Sequence, residues 1–148
     1  MPVWNVVEIA FALTGPLLTG GFAWAITGVI WLDQVVLGGV FGALSLMYFH
    51  SVNFENIMSD SQAGVRTWAT RSGFDASKKF FCFVALLAFL FAVLYTLFFA
   101  SSWAMCLASG LFGAALVLEC RRVIRLASPL SSELAGLRDS VLTLAWFA

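Results

Sequence analysis

Apolar residues run along this chain in four blocks long enough to cross a bilayer, and polar residues gather in the gaps between them. The first block covers residues 6–32, framed by Trp4 and Trp31 at headgroup depth, and contains Gly15-Pro16 near its middle, where a kink is expected. After a turn at Asp33-Gln34 the second returns over 35–50, and His50 to Met58 extends it beyond the membrane. Residues 80–100 form an uninterrupted third block, and the fourth covers 103–118 after a turn at Ser101-Ser102-Trp103. A helix needs about 20 predominantly apolar residues to span the hydrocarbon core. The pattern therefore predicts an all-α integral membrane protein whose four transmembrane helices form two hairpins.

Charge then orients the hairpins. All eight basic residues fall between Arg66 and Lys79 or between Arg121 and Arg138. Lys/Arg-rich segments stay on the cytoplasmic side, so both stretches should face the cytoplasm, with both termini inside and residues 59–79 forming a cytoplasmic loop. The tail, 128–148, differs from the crossings. Ser128-Pro129 suits a helix start, and Leu134, Leu137, Val141 and Leu144 recur at helical spacing opposite Glu133, Asp139, Ser140 and Thr143. This is an amphipathic C-terminal helix, expected on the cytoplasmic face at the interface or on a partner. A weaker version of the pattern occurs around Val65, Trp68 and Ala69.

The two halves also resemble each other. Gly39-Val40-Phe41-Gly42-Ala43 matches Gly110-Leu111-Phe112-Gly113-Ala114, and Ala63-Gly64-Val65-Arg66 matches Ala135-Gly136-Leu137-Arg138 at nearly the same offset. Duplication of a hairpin with its cytoplasmic segment would explain both matches; so would chance among residues common in membrane helices.

Composition adds limits. The chain has 148 residues, 61% hydrophobic and 11% charged, which excludes a soluble domain and leaves room for a single polytopic domain over 1–148. Net charge is zero, so nothing argues for nucleic acid as a partner. Ala23-Trp24-Ala25 resembles a signal-peptide cleavage site, but Met1 to Glu8 carries no basic residue, and the first block is read as a retained helix.

Candidate chemistry is sparse. Gly38, Gly42 and Ser45 share one face of the second crossing, and Ser109 and Gly113, with Gly110 and Ala114 alongside, share one face of the fourth. Small residues let helices approach closely in lipid, so these faces are expected to pack the second and fourth crossings together, or to bind another protein. Glu8 is the one acid that could lie in the membrane, and its closeness to Trp4 favours an interfacial side chain. His50 is the only histidine and is expected at the inner interface, in hydrogen-bond contact. Cys82 and Cys120 come near the cytoplasmic ends of adjacent crossings and Cys106 toward the outer face, with no disulfide expected. Arg121, Arg122 and Arg125, with Glu119 spaced to pair with Arg122, form the densest charge group; together with Arg66 and Arg138 they suit lipid headgroups or a partner.

No nucleophile with its base, phosphate-cradling loop or pair of catalytic carboxylates is recognisable, so neither a catalytic residue nor a cofactor or metal is assigned. The sequence thus predicts a non-enzymatic protein, multi-pass in a bacterial inner membrane, with the bilayer and another membrane protein or a second copy as partners. It would serve as an accessory subunit of a membrane complex, or as a protective protein of the immunity or entry-exclusion type. The alternative is a small dimeric transporter or ion channel working around Glu8 and the Gly15-Pro16 kink. Reporter fusions check the topology: fusions after Asp33 and Ser102 should report outside, those after Ser72 and at Ala148 inside, and an external Ser72 refutes the orientation.

Overall fold

Leu, Phe, Ala and Val dominate the apolar blocks, and each block is one long helix in the computed structural model, which describes residues 6–100, 102–130 and 132–147. In chain order these are α1 (Val6–Thr27), α2 (Leu32–Glu55), two short helices α3 (Ile57–Gln62) and α4 (Trp68–Ser72), then α5 (Phe74–Phe98) and α6 (Trp103–Arg125). A 3-10 turn (Ser132–Leu134) leads to α7 (Leu137–Phe147). The four long helices are each long and apolar enough to span a bilayer, and no strand occurs among the described residues. The protein is an all-helical, multi-pass integral membrane protein. Trp4 and the side chain of Glu8 lie outside the described residues.

The helix ends differ from the expected crossings for local reasons. α1 stops at Thr27, where Gly28 takes φ 71° and the Thr27 hydroxyl turns back to the Ala23 carbonyl at 2.8 Å. Asp33 and Gln34, expected in the turn, belong to the first turn of α2: the Gln34 side chain accepts the Trp31 N–H at 3.0 Å, and Asp33 faces the positive end of the helix dipole. On the opposite side the helices outrun the apolar blocks. Lys78 and Lys79 lie within α5, and Arg121, Arg122 and Arg125 within the last two turns of α6.

α2 is the centre of the bundle, packing against α1, α5 and α7. Its contact with α1 is made by backbone. A Cβ on Gly15 would overlap the Gly38 carbonyl and the Gly42 nitrogen; one on Gly38 would overlap the Thr19 hydroxyl and lie 2.7 Å from Pro16 Cα. Pro16 sits inside α1 without ending it, and its missing N–H leaves the Ala12 carbonyl without a helical donor. That carbonyl faces Gly42, where a Cβ would overlap it. The Thr19 hydroxyl lies 3.0 Å from Gly15 O and 2.9 Å from Gln34 O, adding an interhelical hydrogen bond to the seam.

The small-residue faces therefore have partners other than those expected. The Gly38–Gly42 face of α2 packs on α1 instead of on α6, and Gly113 of α6 packs on Phe89 of α5. The reason is topological: each short outer turn sets the two helices of a hairpin side by side, and the glycines fall on that inner side. Gly42 and Gly113 hold equivalent places in the two Gly-x-Phe-Gly-Ala segments, and each faces the first helix of its own hairpin.

The tail also needs correction. Ser128-Pro129 does not begin a helix; α7 starts at Leu137, after Gly136 with φ 84°, and Glu55 of α2 accepts the Arg138 N–H at 2.8 Å. Leu134, Leu137, Val141 and Leu144 form the expected apolar stripe, but this stripe is buried in the chain's own core with Leu44, Met47 and Val123. Trp68 and Ala69 likewise dock inward through α4. His50 makes the expected hydrogen bond, from a position buried within the protein. It is 1% exposed, with Phe54, Trp68 and Phe80 around its ring and Nε2 donating to the Ser77 carbonyl at 3.1 Å.

The α1–α2 seam makes a stability prediction. Gly15→Leu and Gly42→Leu would each set a side chain against backbone that cannot rotate away, and should destabilise the protein by about 3 kcal/mol or more, above the usual range for overpacking. Gly110→Leu, with nothing within 4 Å of the added Cβ, should be nearly neutral in the same detergent unfolding assay.

Candidate functional site

Apolar and basic side chains meet between α5 and α6. Cys82, Ala85, Leu86 and Phe89 recur at three- and four-residue intervals along α5, and Gly113, Leu116, Val117, Cys120, Arg121 and Ile124 do the same along α6. Facing each other, the two stripes enclose a groove of about 250 Å³. Small side chains at Cys82, Ala85 and Cys120 leave the space. Phe89 lines it opposite Gly113, where an added Cβ would overlap the ring. The outward wall is open, since Leu86, Val117 and Ile124 are 62%, 58% and 60% exposed. Except at Arg121 the lining is apolar or thiol, and the Cys82 thiol points to the Cys120 carbonyl at 4.0 Å.

One end of the groove is basic. Arg121 lines it and also lines a neighbouring open pocket of about 570 Å³ with Leu118, Arg122 and Arg125. Arg122 is held in place, 3.7 Å from Glu119 Oε2 and donating from Nη1 to Ser140 Oγ of α7 at 3.0 Å. Arg121 and Arg125 have no ion pair or hydrogen bond among the described residues and are exposed. Lys79 is exposed one turn before Cys82 on the facing helix. Guanidinium groups bind phosphate oxygens in pairs and stay charged at any accessible pH. The combination suits an amphiphile with a multiply anionic phosphate head and an apolar tail.

The remaining candidates from the sequence scatter. Ser45 lines a recess of about 170 Å³ with Phe11, Tyr48 and Val141, between α1, α2 and α7. Ser109 hydrogen-bonds Thr96 beside a cavity of about 90 Å³ that also touches Leu37 and Val40. Gly110 and Ala114 are exposed. Arg66 and Arg138 are exposed too and do not line the arginine pocket; the Arg138 guanidinium meets Asp139 at 3.4 Å. Sequence reasoning picked out the α6 arginines but missed the α5 stripe that completes the groove, although its spacing was readable.

Carboxylates do not join this site. Among the described residues no group of three or more His, Cys, Asp and Glu side chains could hold a metal ion, and Glu119 is turned to Arg122. Among the described residues the positive charge at the groove mouth comes from arginine and lysine.

Comparison with known proteins supplies the family. The model of the UbiA prenyltransferase family matches residues 1–133, about nine-tenths of the chain, so the chain belongs to that family. No curated protein and no solved structure matches it. Membership overturns the expectation of a non-enzymatic accessory, immunity or exclusion protein, and with it the transporter and channel alternative: the family is one of membrane enzymes. The sequence misled because a prenyl donor carries its own reactive bond. Such a site can be a shaped apolar groove with a charged mouth and no nucleophile or base to recognise.

Proposed function

We propose that this member of the UbiA prenyltransferase family binds an isoprenoid diphosphate in the α5–α6 groove and transfers its prenyl group to a lipid-soluble acceptor. One observation carries the reading: the apolar groove of the second hairpin opens at Arg121, beside Arg122 and Arg125. The hydrocarbon tail would lie along Ala85, Leu86, Leu116 and Val117, and the diphosphate would sit among the guanidinium groups. The basic segments then face the cytoplasm of a bacterial inner membrane, so the charged head stays at the inner surface while the tail remains at membrane depth.

Arginines contribute to transfer through the leaving group. When the allylic C1–O bond breaks, its electron pair departs with the diphosphate and a delocalised cation remains on the prenyl chain; the acceptor attacks C1 and gives up a proton. Fixed positive charge stabilises the negative charge that grows on the departing oxygen, and does so more strongly in a site of low dielectric. The apolar walls exclude water, which would otherwise capture the cation. Arg122, tethered to Glu119 and Ser140, is the preorganised member; Arg121 and Arg125 are free to close on the ligand.

The full chain in proteoliposomes, given radiolabelled isoprenoid diphosphates and hydroquinone or phenol acceptors, should bind the donor saturably and move label into an uncharged product with release of diphosphate. Arg121→Gln and Arg125→Gln should each weaken donor binding about tenfold, the worth of a charge-assisted hydrogen bond. Failure of every isoprenoid diphosphate to bind overturns the reading, and binding without diphosphate release to any acceptor overturns the transfer step.

A further inference from the structure

Charge at the basic ends of α5 and α6 is unbalanced, and the surplus gathers in one place. Both nearby acids already have partners: Asp75 meets Lys78 at 2.8 Å, and Glu119 is turned to Arg122. Lys78 also donates to the Leu126 carbonyl at 3.2 Å, which ties the start of α5 to the end of α6. Arg121, Arg125 and Lys79 remain, exposed and with no ion pair or hydrogen bond among the described residues. At a membrane surface such a surplus attracts anionic headgroups, with a gain in affinity of about fivefold for each basic side chain.

The apolar part of the groove has the depth of a leaflet. Arg121 and Gly113 both line it, and between them α6 rises about 12 Å at ~1.5 Å per residue, close to the ~15 Å that one leaflet contributes to a hydrocarbon core of ~30 Å. Over that depth Cys82, Ala85 and Cys120 leave space between the helices, and the wall carrying Leu86, Val117 and Ile124 is open outward. An acyl chain can therefore enter sideways from its own leaflet without leaving hydrocarbon. A groove bounded by one stripe of α5 and one of α6 takes a single chain, and a second chain on the same headgroup stays in the surrounding lipid.

We infer that the α5–α6 groove is a binding site for an anionic phospholipid of the adjoining leaflet, with its phosphate among Arg121, Arg125 and Lys79 and one acyl chain between the two helices. Guanidinium groups offer paired donors to phosphate oxygens, and the Lys79 ammonium adds a point charge from the facing helix. A zwitterionic phospholipid brings the same phosphate but carries an ammonium of its own into the cluster, so it binds less well. Arg66 and Arg71 are also exposed, yet neither lines the groove or the arginine pocket. A prenyl donor using the same groove would have to displace this lipid. Lipid binding does not require the donor reading and is measured with no isoprenoid diphosphate present, so each can fail alone.

Photo-crosslinking tests the site. The full chain is placed in nanodiscs of phosphatidylethanolamine with a trace of phospholipid that carries a diazirine in one acyl chain and either a glycerol or an ethanolamine head, and labelled residues are located by peptide mass spectrometry. The phosphatidylglycerol probe should label residues 82–89 and 113–124 about tenfold or more above the phosphatidylethanolamine probe, and unlabelled phosphatidylglycerol should compete it away. Arg121→Gln, Arg125→Gln and Lys79→Gln, all at exposed positions, should each lower that labelling about fivefold, whereas Arg66→Gln should leave it unchanged. Equal labelling by the two probes, labelling spread evenly over α1 and the second hairpin, or no loss in any of the three variants overturns the site. An equal loss in Arg66→Gln overturns it too, because the attraction would then belong to the whole basic surface.

Discussion

In hydrocarbon a helix gains little by exchanging lipid contact for contact with apolar side chains, so association depends on how closely backbones approach and on the polar groups they share. α2 meets that constraint on three sides. Gly38 and Gly42 admit α1 to backbone contact, Gly39 accepts the Phe91 ring of α5, and Glu55 accepts the Arg138 N–H in α7's opening turn. More than half of α2's most apolar stretch is buried inside the protein, against 17% for α1 and for α6. The outer helices are placed by what α2 allows, and much of their remaining surface is left for lipid.

The two hairpins apply the same device to different ends. At Gly42 the facing group is backbone, the Ala12 carbonyl released by Pro16, and the two helices meet there in direct contact. At the matching Gly113 the facing group is the Phe89 ring. A ring is thicker than a hydrogen atom, so it props α5 from α6, and the small side chains at Cys82, Ala85 and Cys120 cannot fill the space on the side toward Arg121. The groove is thus a consequence of glycine packing in which one partner changed from backbone to side chain.

Much of this fold was legible in the sequence. Four crossings, the Glu119–Arg122 pair and the apolar stripe of the tail follow from period, length and charge, whereas Trp103, expected in the second turn, opens α6. What was not legible depends on pairing. A stripe such as Leu134, Leu137, Val141 and Leu144 states that a face will be buried and is silent on its partner; here the partner is the chain's own core, with Glu55 fixing the helix start. The packing partners of Gly38 and Gly113 were likewise open until the outer turns aligned the hairpins. For the groove, the arginines were visible as a cluster, but their meaning required Ala85 and Phe89, distant in sequence, on the facing helix.

The arginines themselves show why topology and chemistry cannot be separated in so small a membrane protein. A charge cluster at the end of a span is stable only at the interface, where water and headgroups solvate it, and this holds the groove mouth at the surface. A diphosphate head is subject to the same limit: it cannot follow its tail into hydrocarbon. In the proposed donor complex the requirement that orients α6 would also set the depth of the reacting bond, with the tail directed inward and the C1–O bond at the boundary. A lipid-soluble acceptor need only bring one nucleophilic atom to that boundary. Catalytic geometry would then come largely from the membrane's own dielectric profile, and the protein would add the groove and the cations.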